Sequence, residues 1–114
     1  MASKKDEGKN RLDLWPPDVY EEIGKVLTYG ATKYASRAWE EGMRWGSCYA
    51  ALQRHLQAWW RGESTDPETG YSHLAHASCC LIFLLAYELR GIGVDDRHKL
   101  TQLPKPNPEH PPQF

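Results

Sequence analysis

The chain has 114 residues, of which 40% are hydrophobic, and its 14 basic and 15 acidic residues leave a formal net charge of −1. This length suits one small domain, and the near-even charge argues against a nucleic-acid coat or a polybasic membrane-binding surface. The longest apolar run, residues 77–87, is too short to span a bilayer. Three cysteines without CxxC spacing and a charged N-terminus predict reduced thiols in a cytoplasmic protein.

The composition divides the chain into three parts. Residues 1–10 are polar and are predicted to form a flexible N-terminus, residues 11–100 a helical domain, and residues 101–114 a proline-rich tail that is extended or lies on a neighbour. Within the domain, two prolines and Asp18 favour a helix start, and apolar spacing predicts a helix over 17–36. Gly24 and Gly30 inside it suggest the close approach of another backbone or a ligand.

A second helix is predicted over 48–61, after a structured loop at 37–46. Ser47 is its expected cap, and Gly62 ends it. One apolar stripe of this helix is formed by Tyr49, Leu52, Leu56 and Trp59.

A third helix is predicted over about 72–90 and ends at Gly91. From Ala77 onward it is apolar nearly all round, so it must be buried on all sides, which two short partner helices cannot achieve. We therefore expect an all-α protomer that completes its bundle by self-association, as a dimer or tetramer.

Three carboxylates and three imidazoles lie within 22 residues around the loop that joins the second and third helices. Three acids so close together repel one another unless a cation lies among them. The sequence therefore predicts two or more Mg²⁺ or Mn²⁺ ions. The expected metal ligands are Glu63, Asp66, Glu68, His73 and His76.

Two alternatives to this site stay open. A zinc site through His73, His76 and Cys80 is weaker, because the spacing H-x2-H-x3-C is not a usual zinc pattern. The histidines could also simply bond to backbone in the first turn of the third helix, and each acid alone could be a solvated loop charge.

Basic and aromatic residues near the cluster are candidates for binding a nucleotide. Lys33 and Arg54 are the expected phosphate-binding residues, and Arg54 faces the same end as Lys33 if the first two helices are antiparallel. Trp39 and Tyr34 flank the loop beside Lys33 and could stack on a planar base, although packing explains them equally well.

The chain resembles the phage dATP/dGTP diphosphohydrolase family, whose members include MazZ, a MazG-like enzyme of phages with 2-aminoadenine in their DNA. The resemblance covers roughly residues 9–92. It is carried by the segments KNRLDLWPP (9–17), VLTYGATKY (26–34), Trp39, RHL (54–56), GESTDPETG (62–70) and HLAHA (73–77).

The resemblance implies an all-α fold of the MazG/HisE type, a metal-dependent site, oligomeric assembly in the host cytoplasm and cleavage of a purine triphosphate, dGTP above all. MazG-like enzymes carry E-x-x-E on one helix and E-x-x-D on the next, whereas here the only E-x-x-D is Glu63–Asp66 in a predicted loop. The ligand set therefore rests on the local cluster.

In the expected mechanism, water attacks the α-phosphorus and pyrophosphate leaves. Glu63, Asp66 and His55 are the expected catalytic residues, with His55 orienting or deprotonating the water. Backbone near Leu14 and Trp15 would contact the edge of the base. A non-enzymatic helical adaptor and a pyrophosphohydrolase of another dNTP are the competing hypotheses.

Overall fold

The computed structural model describes residues 7–98, so the predicted tail and most of the predicted N-terminal segment lie outside the described residues. It contains three α-helices: α1 spans Pro17–Lys33, α2 spans Trp45–Trp60 and α3 spans His73–Arg90. Short 3-10 helices, Leu12–Leu14 and Ala38–Glu41, precede α1 and α2. The described part of the chain has isolated β-bridges but no strand, so the all-α prediction is confirmed. None of its helices combines the length and hydropathy that a bilayer crossing requires.

Helix α3 lies between the other two and packs against both. It runs antiparallel to each of them. The Cys48 thiol of α2 donates a hydrogen bond to the Cys80 carbonyl, whereas His55, later in α2, contacts His73 at the start of α3. The Cys79 thiol donates to the Ile23 carbonyl of α1, whereas Lys33 at the end of α1 contacts Glu68, which precedes α3. Two small core clusters follow from this arrangement. Leu52 and Ala77 anchor one between α2 and α3, and Val26 and Ala75 anchor the other between α1 and α3.

The buried positions of α3 hold mostly small side chains, namely Ala75, Ala77, Cys79, Cys80 and Ala86, with His73 and Tyr87. Three of its leucines point outward instead: Leu81, Leu85 and Leu89 are 56%, 55% and 77% exposed. Small residues let α1 and α2 approach closely. The protomer thus leaves the apolar surface of α3 uncovered, as the sequence predicted.

Helix α1 ends three residues earlier than predicted. Its last helical bond runs from the Tyr34 N–H to the Gly30 carbonyl, and the chain then turns through Arg37, which has a φ of 59°. Residues 35 and 36 are exposed, so nothing apolar extends the helix. No other described backbone approaches Gly24 or Gly30, since a Cβ at either would meet no described atom outside its own helix within 4 Å. Gly30 does line the cavity described below, so the approach of a ligand stays a prediction.

Helix α2 begins three residues before the predicted start, and Ser47 lies inside it. The end of the described chain supplies the missing cap: Asp96 accepts the Gly46 N–H at 2.7 Å, and the Val94 carbonyl accepts the Trp45 N–H at 2.9 Å. Of the predicted stripe, Leu52 and Leu56 reach the core, whereas Tyr49 and Trp59 are exposed. The predicted ends at Gly62 and Gly91 are confirmed, and both residues have positive φ.

Candidate functional site

The loop between α2 and α3 is held by its own backbone. The Asp66 N–H donates to the Tyr71 carbonyl at 2.8 Å, and the Gly70 N–H donates to the Asp66 carbonyl at 2.7 Å. The His73 N–H reaches back to the Ser64 carbonyl at 3.0 Å, and the Ser72 hydroxyl caps α3 by accepting the Leu74 N–H. This closed turn fixes Asp66 against the histidines of both helices.

A compact group of three polar side chains, His55, Asp66 and His73, forms the centre of the site. One ligating atom from each lies within 4.8 Å of the others. The two Nδ1 atoms of His55 and His73 are 2.9 Å apart, and Asp66 Oδ2 is 3.9 Å from His55 Nδ1. The antiparallel packing of α2 and α3 brings His55 and His73 together although 18 residues separate them.

Hydrogen bonds fix the orientation of His73 and of Asp66 within this group. Glu63 Oε1 lies 2.9 Å from Nε2 of His73, whose ring is almost fully buried. Asp66 Oδ1 accepts the backbone N–H groups of Glu68 and Thr69 at 2.8 and 3.2 Å, which leaves Oδ2 turned toward His55. Each central side chain is therefore held in one orientation.

The third histidine near this site, His76, stacks on His55 with ring centroids 4.6 Å apart and planes inclined by 8°. Its Nε2 lies 2.8 Å from the Thr69 hydroxyl. Burial lowers the pKa of His55, and the neighbouring His76 and His73 lower it further. Burial also lowers the pKa of His76, so both rings are mostly neutral at pH 7.

Asp66 is charged under the same conditions. Burial alone would raise the pKa of its carboxyl group, but the backbone N–H groups of Glu68 and Thr69, together with His76 and His55, outweigh this effect and lower the pKa. Neutral imidazoles beside an ionised carboxylate are the protonation states in which these groups bind a divalent cation.

The site opens into a cavity of about 910 Å³ between α1, α3 and the segment around Trp39. Lys33 stands at its polar end, where its ammonium group contacts Glu68 at 3.1 Å, and the Tyr29 hydroxyl contacts the same carboxylate at 3.3 Å. Burial is slight there, and the bond to Glu68 raises the pKa of Lys33. The cavity thus joins a cationic edge to the histidine group.

An aromatic wall faces the polar end. Trp39 stacks on Phe83 with centroids 4.6 Å apart and planes inclined by 20°, and the buried Tyr87 donates its hydroxyl to the Trp39 carbonyl at 2.6 Å. Trp39 and Tyr34 both line the cavity. A volume of this size with one aromatic wall is typical of sites for small planar ligands.

The family description "dATP/dGTP diphosphohydrolase, N-terminal" matches residues 1–97. The chain belongs to this family. A relative named dATP/dGTP diphosphohydrolase, from Salmonella phage PMBT28, is 36% identical over 101 residues, which are 89% of this chain and 34% of the relative. The chain thus spans about a third of the length of that relative. No solved structure matches, so the expected likeness to the MazG/HisE fold stays a prediction.

In this family member the predicted metal ligands take different positions. Asp66 and His73 lie at the centre with His55, which was predicted as a catalytic base and not as a ligand. Glu63 contacts His73, Glu68 contacts Lys33 and Tyr29, and His76 contacts Thr69. Cys80 is absent from the described metal-ligating group, which gives the alternative zinc set no geometric support.

The predicted nucleotide-binding residues divide in the same way. Lys33, Tyr34 and Trp39 line the cavity with His55 and Asp66. Arg54 is exposed and does not line it, because successive residues of a helix point about 100° apart. Leu14 and Trp15 precede α1, about 25 Å of helix away from Lys33, so one protomer does not bring them to the cavity.

Two contacting residues were missed in the sequence. Tyr29 precedes Lys33 by one helical turn and so shares its face, a signal that the spacing does contain. The fold of the loop brings the Thr69 hydroxyl to His76, and no sequence pattern predicts this contact.

Proposed function

We propose that the protein hydrolyses a purine deoxynucleoside triphosphate, preferentially dGTP, to the monophosphate and pyrophosphate, with a divalent metal ion as cofactor. The observation that carries this proposal is the group of His55, Asp66 and His73, of which His55 and Asp66 line a cavity that also holds Lys33 and an aromatic wall. Membership of the family and the name of the phage relative support the same reaction.

The donor set fits a divalent cation. Neutral imidazole nitrogens and an ionised carboxylate converge, and the outer contact from Glu63 to His73 is the kind that fixes a metal-binding imidazole. Mg²⁺ or Mn²⁺, the ions expected from the sequence, would be held by Asp66 with His55 and His73. When bound, such an ion polarises phosphoryl oxygens and activates water.

The protein's own groups bind and orient the substrate. Lys33 lies where it can contact the leaving phosphates, provided that they displace Glu68. The purine ring would pack against the Trp39 indole, which lines the cavity and is supported by the Phe83 ring and by the Arg90 guanidinium 5.7 Å from its centroid.

An imidazole accepts the proton of the attacking water. Water attacks the α-phosphorus, the bond from that phosphorus to the β-phosphate bridging oxygen breaks, and the electron pair leaves with pyrophosphate. If His76 donates its Nε2–H to Thr69, its Nδ1 is free to accept the proton of the water. We assign this role to His76 because Nδ1 of His55, the base expected from the sequence, faces His73.

An isotope experiment tests the reaction. The protein is incubated with dGTP and Mg²⁺ or Mn²⁺ in H₂¹⁸O, and products are identified by mass spectrometry and ³¹P NMR. Attack at the α-phosphorus places the label in dGMP. Label in pyrophosphate would move the attack to the β-phosphorus, and dGDP with inorganic phosphate would contradict the proposal. Parallel reactions with dATP, dCTP, dTTP and dUTP test the purine preference.

We place the reaction in the cytoplasm of the phage-infected host, where it would shift the purine dNTP pool for DNA that contains 2-aminoadenine. Self-association through the exposed leucines of α3 belongs to the same proposal, since α1 and α2 leave them uncovered. Nucleic acid and membrane are not expected partners.

A further inference from the structure

We propose that the group of His55, Asp66 and His73 is a resident transition-metal site that binds nitrogen-preferring ions, such as Co²⁺ or Zn²⁺, far more tightly than Mg²⁺ and without nucleotide. The inference deepens the proposed function by naming the cation class of that site, and metal binding can be measured independently of turnover.

The first argument is the separation of the two imidazoles. Their Nδ1 atoms are 2.9 Å apart. Two nitrogens that are each about 2.1 Å from one ion lie about 3.0 Å apart at a right angle and about 3.4 Å apart at the tetrahedral angle that zinc prefers. The two rings are therefore within about 0.5 Å of the separation of neighbouring ligands.

The second argument concerns the protonation of His73. Its Nε2 lies 2.9 Å from the Glu63 carboxylate, and an ionised carboxylate can only accept a hydrogen bond. The ring hydrogen of a neutral His73 therefore belongs on Nε2, and Nδ1 carries a lone pair. That lone pair faces His55 and lies near Asp66. A hydrogen bond from His55 Nδ1–H to His73 Nδ1 would pair these two nitrogens. It would leave Asp66 Oδ2, 3.9 Å from His55 Nδ1, without a cation to balance its charge.

The third argument is the identity of the donors. Mg²⁺ prefers oxygen ligands, whereas imidazole suits zinc, iron, nickel and copper. Only one carboxylate, Asp66, belongs to the described group, because Glu63 is engaged with His73 and Glu68 with Lys33. Two nitrogens and one oxygen therefore favour a transition-metal ion over the magnesium that a carboxylate-rich loop suggests.

The test is metal binding by the full chain after treatment with EDTA, in the absence of nucleotide. We expect Co²⁺ to produce visible absorption bands with a stoichiometry of one ion per chain. Calorimetry should give Zn²⁺ and Co²⁺ dissociation constants at least about 100-fold lower than that of Mg²⁺. His55→Ala and Asp66→Asn should abolish the bands.

Glu63→Gln should weaken Co²⁺ binding about 10- to 100-fold, because it removes the charged partner of a ligating imidazole. His98→Ala and Glu21→Gln are the matched controls, and both should bind Co²⁺ like the parent. Circular dichroism verifies that each variant is folded, and His55→Gln replaces the alanine variant if that one unfolds.

Mg²⁺ binding as tight as Co²⁺ binding, or unchanged Co²⁺ bands in folded His55 variants, would overturn the inference and indicate a plain hydrogen bond between the histidines. Hydrolysis of dGTP with Mg²⁺ by a parent chain that binds no Co²⁺ would also reject the inference while leaving the proposed function intact. Co²⁺ binding that depends on His55, without hydrolysis of any dNTP, would reject the proposed function alone.

Discussion

Asp66 uses its two carboxylate oxygens for different purposes. Oδ1 accepts two backbone N–H groups and so shapes the loop, while Oδ2 faces the histidines. An asparagine retains an oxygen acceptor for the loop but lacks the negative charge that a cation requires. The substitution of Asp66 by asparagine can therefore separate its role in the loop structure from its role in cation binding.

We expect Asp66→Asn to lower kcat/KM for dGTP by about 100-fold or more, because the charge contributes to metal-assisted catalysis. The melting temperature of the metal-free protein should change little. Steady-state kinetics and thermal unfolding measure the two effects, with Asp18→Asn as the control. Full activity in Asp66→Asn would remove this carboxylate from the reaction.

Lys33 is occupied by Glu68 before any anion arrives. The pair is exposed, so its contribution is small, and a nucleotide can compete for the lysine. We expect Glu68→Gln to lower KM for dGTP about two- to fivefold by releasing Lys33, and Lys33→Met to raise KM.

The matched control is Glu22→Gln, which breaks the exposed ion pair of Glu22 with Lys25 on α1 and should leave KM unchanged. The gain in Glu68→Gln should shrink at high salt, since exposed charges are screened. A KM that rises in Glu68→Gln would show that this carboxylate assists binding.

The sequence identified most of the polar residues of the site but not their partners. His55, Asp66 and His73 were each predicted to be functional, yet which side chain of the loop turns inward depends on backbone hydrogen bonds that the Tyr71 and Ser64 carbonyls accept. Arg54 and His55 are adjacent in the sequence, but they point in different directions from α2, so only His55 lines the cavity.

The N-terminus of α2 shows an element completed by distant residues. Asp96 accepts the Gly46 N–H and pairs with Arg44, 50 and 52 residues away. These bonds satisfy donors that the helix itself leaves unpaired, and they place a negative charge at its positive end. A cap so far along the chain is invisible to a local sequence pattern, which explains the wrong choice of Ser47.

This cap predicts a dependence of stability on pH. The bond from the Gly46 N–H, followed by the contact with Arg44, lowers the pKa of Asp96 below the ordinary value of 3.8 for an aspartate. A carboxyl group with a lowered pKa stabilises the fold fully above the unfolded pKa, and this contribution is lost as pH falls through the folded pKa.

We therefore expect Asp96→Ala to lower the melting temperature by a few degrees at pH 7 and by less as the pH drops below about 3.8. Thermal unfolding between pH 7 and pH 3 measures this convergence. Asp13→Ala removes an exposed carboxylate that is paired with Arg11 but caps no α-helix, and it should have a smaller effect. A deficit for Asp96→Ala that stays constant over this range would contradict the cap.

For the whole molecule, the placement of large side chains is the dominant feature. Leucines of α3 face outward, while alanine and cysteine fill the inner positions. Exposed leucines at i, i+4 and i+8 form a stripe that suits the packing of a second copy. The sequence could predict that α3 needs more cover than two helices give, because that argument depends on composition alone.

We expect the purified protein to sediment above the 13.1 kDa mass of one chain. Leu81→Glu with Leu85→Glu should shift it toward that mass, since charges on the stripe oppose association. Leu12→Glu, at another exposed leucine, is the control for analytical ultracentrifugation. A parent protein that sediments as a single chain at micromolar concentration would rule out self-association through α3.

Tyr87 is the one fully hidden large side chain among the described residues, and its hydroxyl holds the carbonyl of Trp39. The position of the indole that lines the cavity therefore depends on a hydrogen bond from the core of the protein. Tyr87→Phe removes only this hydroxyl, at a site that no substrate contacts, yet it would increase the mobility of the indole and reduce the selectivity for one nucleobase over another.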